Sequence, residues 1–260
     1  MPARTAYTPG TPSWTDLTTP DTAAAKKFYG ALFAWAFTDE ATDDPSNPYV
    51  MAMRNGQPVA GVMRLSEEMA AGGMPPVWSS YVTVADIDAS AARVGGLGGT
   101  VMQEPFDVMD AGRMSVLADP TGAVICLWQA NEHIGAGLVN EHGTLTWNEL
   151  ITPDVVTAAK FYEALFGWKA EAMDGPMPYT SFMMGDRPVG GAMNPPMEGM
   201  PSFWGVYFAV DDCDVIAEEA KALGASVLAE PMDIPPGRMA AFADPQGAMF
   251  SVLRHNEPTD

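Results

Sequence analysis

The start of the chain changes from a strand pattern to a helix pattern within about twenty residues. Ser13–Thr19 predicts a strand. Asp21 is a good helix N-cap, because its carboxylate can accept hydrogen bonds from the free amides of a first helical turn. Ala24, Phe28 and Leu32 then recur at intervals of four, which predicts a helix with one apolar face.

A second strand and helix follow two short strands. The short strands are predicted around Tyr49–Met53 and Val59–Arg64, and another strand at Ser79–Val84. Asp86 or Asp88 is expected to cap the helix that comes next, which extends to Leu97. The predicted order of elements is β-α-β-β-β, repeated.

The whole pattern returns in the second half of the chain. Residues 143–168 repeat residues 10–35 with 15 identities in 26 positions. The sequence Asp-Pro-x-Gly, which favours a type I turn between two strands, occurs at residues 119–122 and again at 244–247. The sequence therefore predicts four β-α-β-β-β modules in two domains, 1–130 and 143–260, joined by a glycine-containing linker at 131–142.

Composition limits the binding partners and the cellular compartment that we expect for this protein. A net charge of −20 repels phosphate backbones and anionic lipids, so neither nucleic acid nor a membrane is expected as a partner. The chain has no apolar run of membrane-spanning length and no apolar signal sequence. With two cysteines and no CxxC spacing, a cytoplasmic protein is expected, as a monomer or a homodimer.

The repeated motifs resemble those of the vicinal oxygen chelate superfamily, which includes glyoxalases, extradiol dioxygenases and bleomycin-binding proteins. They are the Pro-Asp before the first helix, the helix ending in Phe-Tyr-x-x-Leu-Phe-x-Trp, and the closing Asp-Pro-x-Gly. The resemblance implies an α+β fold of two tandem glyoxalase-like open-barrel domains, each around a ligand cavity. The overall sequence also resembles a two-domain glyoxalase-like antigen of mycobacteria. An interaction or antigen-like role at the cell surface is suggested by that resemblance and by nothing else in the sequence.

The resemblance also indicates where metal ligands would stand, and those positions hold other residues. First-strand ligands would fall at Trp14 and Trp147, and an indole has no free lone pair. Last-strand ligands would fall at Cys126 and Ser251. The three histidines, His133, His142 and His255, are expected to be exposed to solvent. No metal and no other cofactor is therefore expected.

Each first strand carries a carboxylate two residues after the tryptophan. Asp16 and Glu149 should share a strand face with Trp14 and Trp147, because residues i and i+2 point the same way. Burial would raise their pKa values, as suits a general base. The alternative is a structural role, with each carboxylate paired to Arg113 or Arg238.

Further aromatic residues are candidates for a ligand site. Trp78 and Trp204 begin matching strands and are predicted to line the cavity or its mouth. Trp128 corresponds to Leu253 in the other half, so the two cavities should differ, and Cys126 lies nearby in sequence. Trp35 and Trp168 end the first helix of each half and are predicted to be core.

Two classes of function remain open at this stage. The first is binding of a small aromatic or apolar molecule in a metal-free cavity, for sequestration, resistance or metabolite handling, with Trp14, Trp147, Trp78, Trp204, Trp128, Cys126, Arg113 and Arg238 as candidate contacts. The second is an enzyme: a metal-independent lyase, isomerase or hydroxylase that uses Asp16 or Glu149 as a general base. The resemblance adds a methylglyoxal-detoxifying glyoxalase to that second class.

Overall fold

The computed structural model describes residues 3–40, 42, 48–173 and 178–257. The described part of the first half contains eight strands and three helices: β1 (Pro12–Thr19), α1 (Thr22–Phe33), β2 (Ala36–Glu40), β3 (Tyr49–Arg54), β4 (Gln57–Arg64), α2 (Glu67–Ala71), β5 (Val77–Thr83), α3 (Ile87–Val94), β6 (Thr100–Val108), β7 (Gly112–Ala118) and β8 (Val124–Ala130). A single 3-10 turn, Gly95–Leu97, extends α3.

The second half repeats this order without a counterpart of α2. Its elements are β9 (Thr144–Ile151), α4 (Val155–Phe166), β10 (Lys169–Met173), β11 (Tyr179–Met184), β12 (Arg187–Met193), β13 (Phe203–Ala209), α5 (Cys213–Ala222), β14 (Ser226–Ile234), β15 (Gly237–Ala243) and β16 (Met249–His255). The sequence alone did not locate β2, α2 and β6 of the first half, or β10 and β14 of the second.

Each half forms one eight-stranded sheet. The strand order is β2-β3-β4-β1-β5-β8-β7-β6 in the first half, and the matching order is found in the second. The two central strands, β1 and β5, run antiparallel, and each is parallel to its outer neighbour. The predicted α+β fold with four β-α-β-β-β modules is confirmed.

The first sheet curls around the side chain of Trp14. Met51 on β3 and Val108 on β6 stand well apart in strand order, yet both pack against the cluster that contains Trp14. The strands at the two ends of the order do not pair with each other among the described residues. The sheets are therefore open, not closed barrels, and each has an inner face, which we call the first cup and the second cup.

The predicted helix starts and closing turns are confirmed. Asp21 Oδ1 accepts from the Ala24 amide at 3.0 Å, and Asp86 caps α3 in the same way. The Gly122 amide donates to the Asp119 carbonyl at 2.9 Å, which closes the predicted turn.

The two halves share their hydrophobic cores on the outer faces of the sheets. One core joins α1 of the first half to α5 and β16 of the second, through residues such as Phe33 and Phe250. The other joins α3 to α4, through residues such as Val94 and Phe161. Trp35 and Trp168 are 5% and 0% exposed in these cores, as predicted. Each half thus supplies the apolar surface that the other half needs to bury.

Among the described residues, no helix combines the length and the hydropathy needed to cross a bilayer.

Candidate functional site

A carboxylate, an indole and two phenols meet on the floor of the first cup. Strand alternation brings Trp14 and Asp16 of β1 to the same inner face. Tyr49 reaches over β4 from β3, accepts from Trp14 Nε1 at 3.0 Å, and donates to Asp16 Oδ2 at 3.2 Å. Tyr81 of β5 donates to the same Oδ2 at 2.7 Å. Asp16 is 3% exposed.

The second cup repeats this group with a longer carboxylate side chain. Trp147 Nε1 donates to Tyr179 Oη at 2.9 Å, and Tyr207 donates to Glu149 Oε2 at 2.6 Å. The Tyr179 phenol also lies near Glu149 and lowers the pKa of that carboxyl. Thus both halves present one carboxylate oxygen to a phenol of the neighbouring central strand.

One glycine in each half makes room for the phenol that crosses the sheet. A Cβ built on Gly61 would overlap the Tyr49 hydroxyl, and a Cβ on Gly191 would overlap the Tyr179 hydroxyl. Glycine at these two positions is therefore required for the tyrosines to reach the carboxylates.

Burial dominates the electrostatics of both carboxylates. Desolvation raises the pKa of Asp16 to about 6, although the hydrogen bonds from Tyr81 and Tyr49 lower it. Desolvation likewise raises the pKa of Glu149, although the hydrogen bond from Tyr207 and the nearby Tyr179 phenol lower it. The phenol pKa values of Tyr49 and Tyr81 are raised by burial and by the adjacent Asp16 charge, so both remain donors at neutral pH.

The segment between the two sheets closes the first cup. The His133 ring packs edge-on against Trp14, with ring centroids 4.6 Å apart at an interplanar angle of 87°. The Ala136 amide donates to Ser13 O at 2.8 Å, and Trp128 Nε1 donates to His133 O at 2.8 Å. With this cover in place, Trp14 is only 4% exposed.

The expectation that the histidines are exposed is wrong for His133. Its ring is enclosed by Trp14 and Trp128, and burial lowers its pKa to about 4. Its Nε2 is buried without a hydrogen-bond partner within 3.5 Å, and so is Asp16 Oδ1 in the same cup. His142 Nδ1 accepts from the Asp211 amide at 3.1 Å and is partly buried, and His255 contacts Thr146.

The second cup is more open than the first. Trp147, Tyr179 and Ser251 are each partly exposed, whereas Trp14 and Cys126, which match the first and last of these, are both buried. Leu253 takes the place of the Trp128 indole, so this cup also has a smaller apolar wall.

Four of the predicted site residues do not lie in the cups. Arg113 forms ion pairs with Asp88 and Asp107 on the outer surface, and Arg238 pairs in the same way with Asp214 and Asp233. The proposed pairing of these arginines with Asp16 and Glu149 is wrong, because strand alternation turns them outward.

The prediction that Trp78 and Trp204 line the cavity or its mouth is also wrong. Trp78 donates to Tyr29 at 3.0 Å and Trp204 donates to Tyr162 at 2.8 Å, both within the outer cores. Trp128 and Cys126 do lie in the first cup with Trp14.

The sequence analysis missed the four tyrosines of the cups as site residues. Tyr49, Tyr81, Tyr179 and Tyr207 are matched pairs in the repeat, and that match was the available signal. Their role depends on which strands adjoin β1 and β9, and neighbouring strands were not derivable from local pattern.

A cleft of about 620 Å³ lies outside both cups, where the halves meet. Arg54 and Arg254 line it together with Glu141, Asp211 and Glu257, so its positive and negative charges largely offset each other. None of the cup residues described above contributes to it.

Comparison with known proteins identifies the family of the chain. Residues 11–127 and 144–252 match the model of the Glyoxalase/Bleomycin resistance protein/Dioxygenase superfamily. The chain belongs to this superfamily. The protein CFP32 of Mycobacterium tuberculosis, named provisionally as a glyoxylase, is 51% identical over 257 residues, which cover 98% of each chain.

A more distant relative and two solved structures extend the comparison. The anthracycline biosynthesis protein DnrV of Streptomyces peucetius is 38% identical and covers 97% of this chain and 96% of its own. The fold is similar to the Mn(II)-bound glyoxalase of Novosphingobium aromaticivorans (TM-score 0.66, 15% identity, covering 96% and 86%) and to the 2,3-dioxygenase LapB of Pseudomonas sp. KL28 (TM-score 0.65, 14% identity, covering 95% and 94%).

The side chains of the cups do not fit the divalent metal that some superfamily members carry. Within the described ranges, no three His, Cys, Asp or Glu side chains stand where they could hold one ion. Trp14 and Trp147 occupy the first-strand ligand positions and use their only polar hydrogen on a tyrosine. Asp16 Oδ2 is already taken by two phenol donors. The groups that the cups offer to a ligand are therefore carboxylate, phenol and indole.

Proposed function

We propose that this protein binds a small planar or apolar molecule on the inner face of its sheets, without a resident metal. The observation that carries the proposal is the repeated group of an indole, a carboxylate and two tyrosines on the same inner face of both halves. Small-molecule sites are mostly apolar and aromatic, with a few polar groups that orient the ligand.

The roles within the site follow from the chemistry of its parts. The indoles of Trp14 and Trp147 offer flat apolar surface. The carboxylates of Asp16 and Glu149 accept a hydrogen bond from a ligand hydroxyl or N–H, and the phenols fix the carboxylate orientation. The relative with an anthracycline biosynthesis name makes planar polycyclic molecules the first class to test.

The test is titration of the purified protein with a panel of anthraquinones, naphthols and indoles, followed by tryptophan fluorescence and calorimetry. We expect saturable quenching with a dissociation constant in the micromolar range or below. A flat response to every member of the panel would contradict the proposal.

An enzyme is the second candidate, and the raised pKa of Asp16 favours it. A buried carboxyl that titrates near pH 6 is matched to general-base work near neutral pH. In a lyase, isomerase or metal-independent hydroxylase, Asp16 or Glu149 would take a proton from the substrate and become neutral, and a phenol would then donate to the negative charge left on the substrate. The provisional glyoxylase name of the 51% identical relative adds methylglyoxal adducts to the substrates worth testing.

The variants Asp16→Asn and Glu149→Gln separate the two candidates. For a general base, each change in the active cup should abolish turnover, by roughly 10²-fold or more, while a ligand still binds. Turnover that survives both changes together would remove this mechanism.

We further propose that the protein is cytoplasmic, is a monomer or a homodimer, and binds neither nucleic acid nor a membrane. The net charge of −20 opposes binding to nucleic acid and to anionic membranes. Both cysteines, Cys126 and Cys213, are buried and unpaired, which suits a reducing compartment.

A further inference from the structure

The two cups differ in what occupies them. The chain follows matching paths after the last strand of each sheet, β8 and β16, as far as Asn131 and Asn256. Asn131 N donates to Ala111 O, and Asn256 N donates to Pro236 O, each at 3.0 Å. The side-chain amides of the two asparagines donate to the carbonyls of Asp110 and Pro235, respectively. Beyond Asn131 the chain continues over the first cup.

That further segment places a ring against the indole of the first cup. The imidazole of His133 meets Trp14 edge-on and lies 5.9 Å from the Trp128 ring centroid. Ala136 and Gly137 then bond to Ser13 O and Pro58 O at the rim, and Ala136 is fully buried. The chain itself thus fills the first cup with a planar, uncharged ring and a stretch of backbone.

The matching indole of the second cup has no such neighbour among the described residues. Trp147 makes no ring-to-ring contact in the described chain, and it is partly exposed together with Tyr179 and Ser251. The Trp147 N–H is bonded to Tyr179 while part of its ring surface remains exposed. An aromatic side chain that is anchored in this way and exposes one face is typical of a ligand site.

We infer that His133 is a built-in occupant of the first cup, and that the ligand of this protein binds in the second cup, where a neutral planar ring stands edge-on against Trp147 as the imidazole stands against Trp14. The inference rests on the proposed function and narrows it to one cup and one ring orientation. A ring that also carries an O–H or N–H can donate to the Glu149 carboxylate, which the hydrogen bond from Tyr207 holds in place. An anionic ring is disfavoured, because it would lie beside that carboxylate.

Matched thiols in the two cups test the inference without knowledge of the natural ligand. Cys126 already lies in the first cup, and Ser251→Cys introduces a thiol at the corresponding position of the second. Cys213→Ala removes the other thiol, which is buried in an outer core. The folded double variant is then treated with a neutral thiol-reactive reagent, and the site of modification is read by peptide mass spectrometry.

We expect the introduced thiol to react at least 10²-fold faster than Cys126. We also expect 1,4-dihydroxyanthraquinone or indole, used as neutral planar probes, to slow its modification and leave that of Cys126 unchanged. Equal reactivity of the two thiols would overturn the inference, whatever the probes do. Unequal reactivity without protection by either probe would contradict the proposed function itself and, with it, the ligand assigned to the second cup.

A filling variant provides the second measurement. Gly205 faces the second cup beside Glu149, and the atoms nearest to a Cβ built on it lie at 3.6 and 3.7 Å, an ordinary contact distance. Gly205→Leu should therefore fold and weaken probe binding at least tenfold, while Ser79→Leu, the matched change in the first cup, should alter it less than twofold. A greater loss from the Ser79 change would place the ligand in the first cup and refute the inference.

Discussion

Tyr29 and Asp244 stand 215 positions apart in the sequence, yet the phenol donates a hydrogen bond to Asp244 Oδ2 at 3.0 Å in the buried contact between the halves. Tyr162 makes the reciprocal bond to Asp119 Oδ2 at 2.9 Å. The Phe-Tyr motif of each first helix therefore recognises the Asp-Pro-x-Gly turn of the other half. Because Oδ1 of each aspartate accepts the amides of its own turn, one side chain closes both a turn and the joint between the halves.

Loss of this bond should destabilise the whole chain. Tyr29→Phe and Tyr162→Phe each leave a buried carboxylate oxygen without its phenol, which costs about 1–3 kcal/mol. Since the cores are shared, we expect one cooperative unfolding transition with a lower midpoint in urea. Tyr7→Phe, which removes a bond at the partly buried rim, is the control and should cost less. Two separate transitions in the variants would show that the halves are independent units.

Opposite pH dependences should be measurable at the two titrating groups of the first cup. The folded-state pKa of Asp16 is raised from 3.8 to about 6, so its contribution to stability is full below pH 4 and is lost as pH rises to 6. The folded-state pKa of His133 is lowered from 6.5 to about 4, so its contribution is full above pH 6.5 and is lost as pH falls to 4. Each effect is on the order of 3 kcal/mol, and the two oppose each other over the same range.

Single variants should reveal each slope separately. As pH rises from 4 to 6, the stability of Asp16→Asn relative to the parent protein should increase. The stability of His133→Gln relative to the parent should decrease over the same rise. Urea unfolding at half-unit pH intervals gives both differences, and comparison with the parent cancels groups such as Glu149 that titrate in all three proteins. If both difference curves are flat, the two groups are not desolvated as the structure has them.

The glycine under each crossing tyrosine should be irreplaceable. Gly191→Ala puts a methyl group where the Tyr179 hydroxyl lies, so the phenol has to leave Trp147 and Glu149. We expect a loss of about 1–3 kcal/mol in stability, together with weaker ligand binding in the second cup. Gly205→Ala in the same cup has ordinary space for its methyl group, so it is the control for stability and should unfold at the same urea concentration as the parent. Equal effects of the two changes would contradict the placement of Tyr179.

The success and failure of sequence reasoning have physical causes at particular residues. Asp21 and the Asp119 turn were predictable because their hydrogen bonds are local. Trp14 and Asp16 were predictable as neighbours on one face because strand alternation is local as well. Trp78 was misplaced since a local pattern does not say which face of β5 meets the helices, and Arg113 was misplaced for the same reason.

His133 was missed because its environment depends on a contact between remote parts of the chain. A lone histidine in a glycine-rich connection has no local pattern that predicts burial. Its position follows from the return of residues 133–139 across the first sheet, which the hydrogen bonds of Ala136 and Gly137 fix. The difference between the cups was foreseeable only in part, from the pairing of Trp128 with Leu253.

Removal of the His133 ring should leave a cavity that free imidazole can refill. His133→Gly deletes the group packed between Trp14 and Trp128, and a large-to-small change of this kind costs about 2–4 kcal/mol. Because an aromatic cavity of the right shape binds the matching ring, millimolar imidazole should raise the melting temperature of the variant more than that of the parent, and methylamine should not. His142→Gly, at a partly exposed contact with Asp211, is the control and should show no rescue. Equal stabilisation of both variants by imidazole would mean that imidazole binds nonspecifically and not in a site left by the His133 ring. That result would contradict the placement of this ring in the first cup.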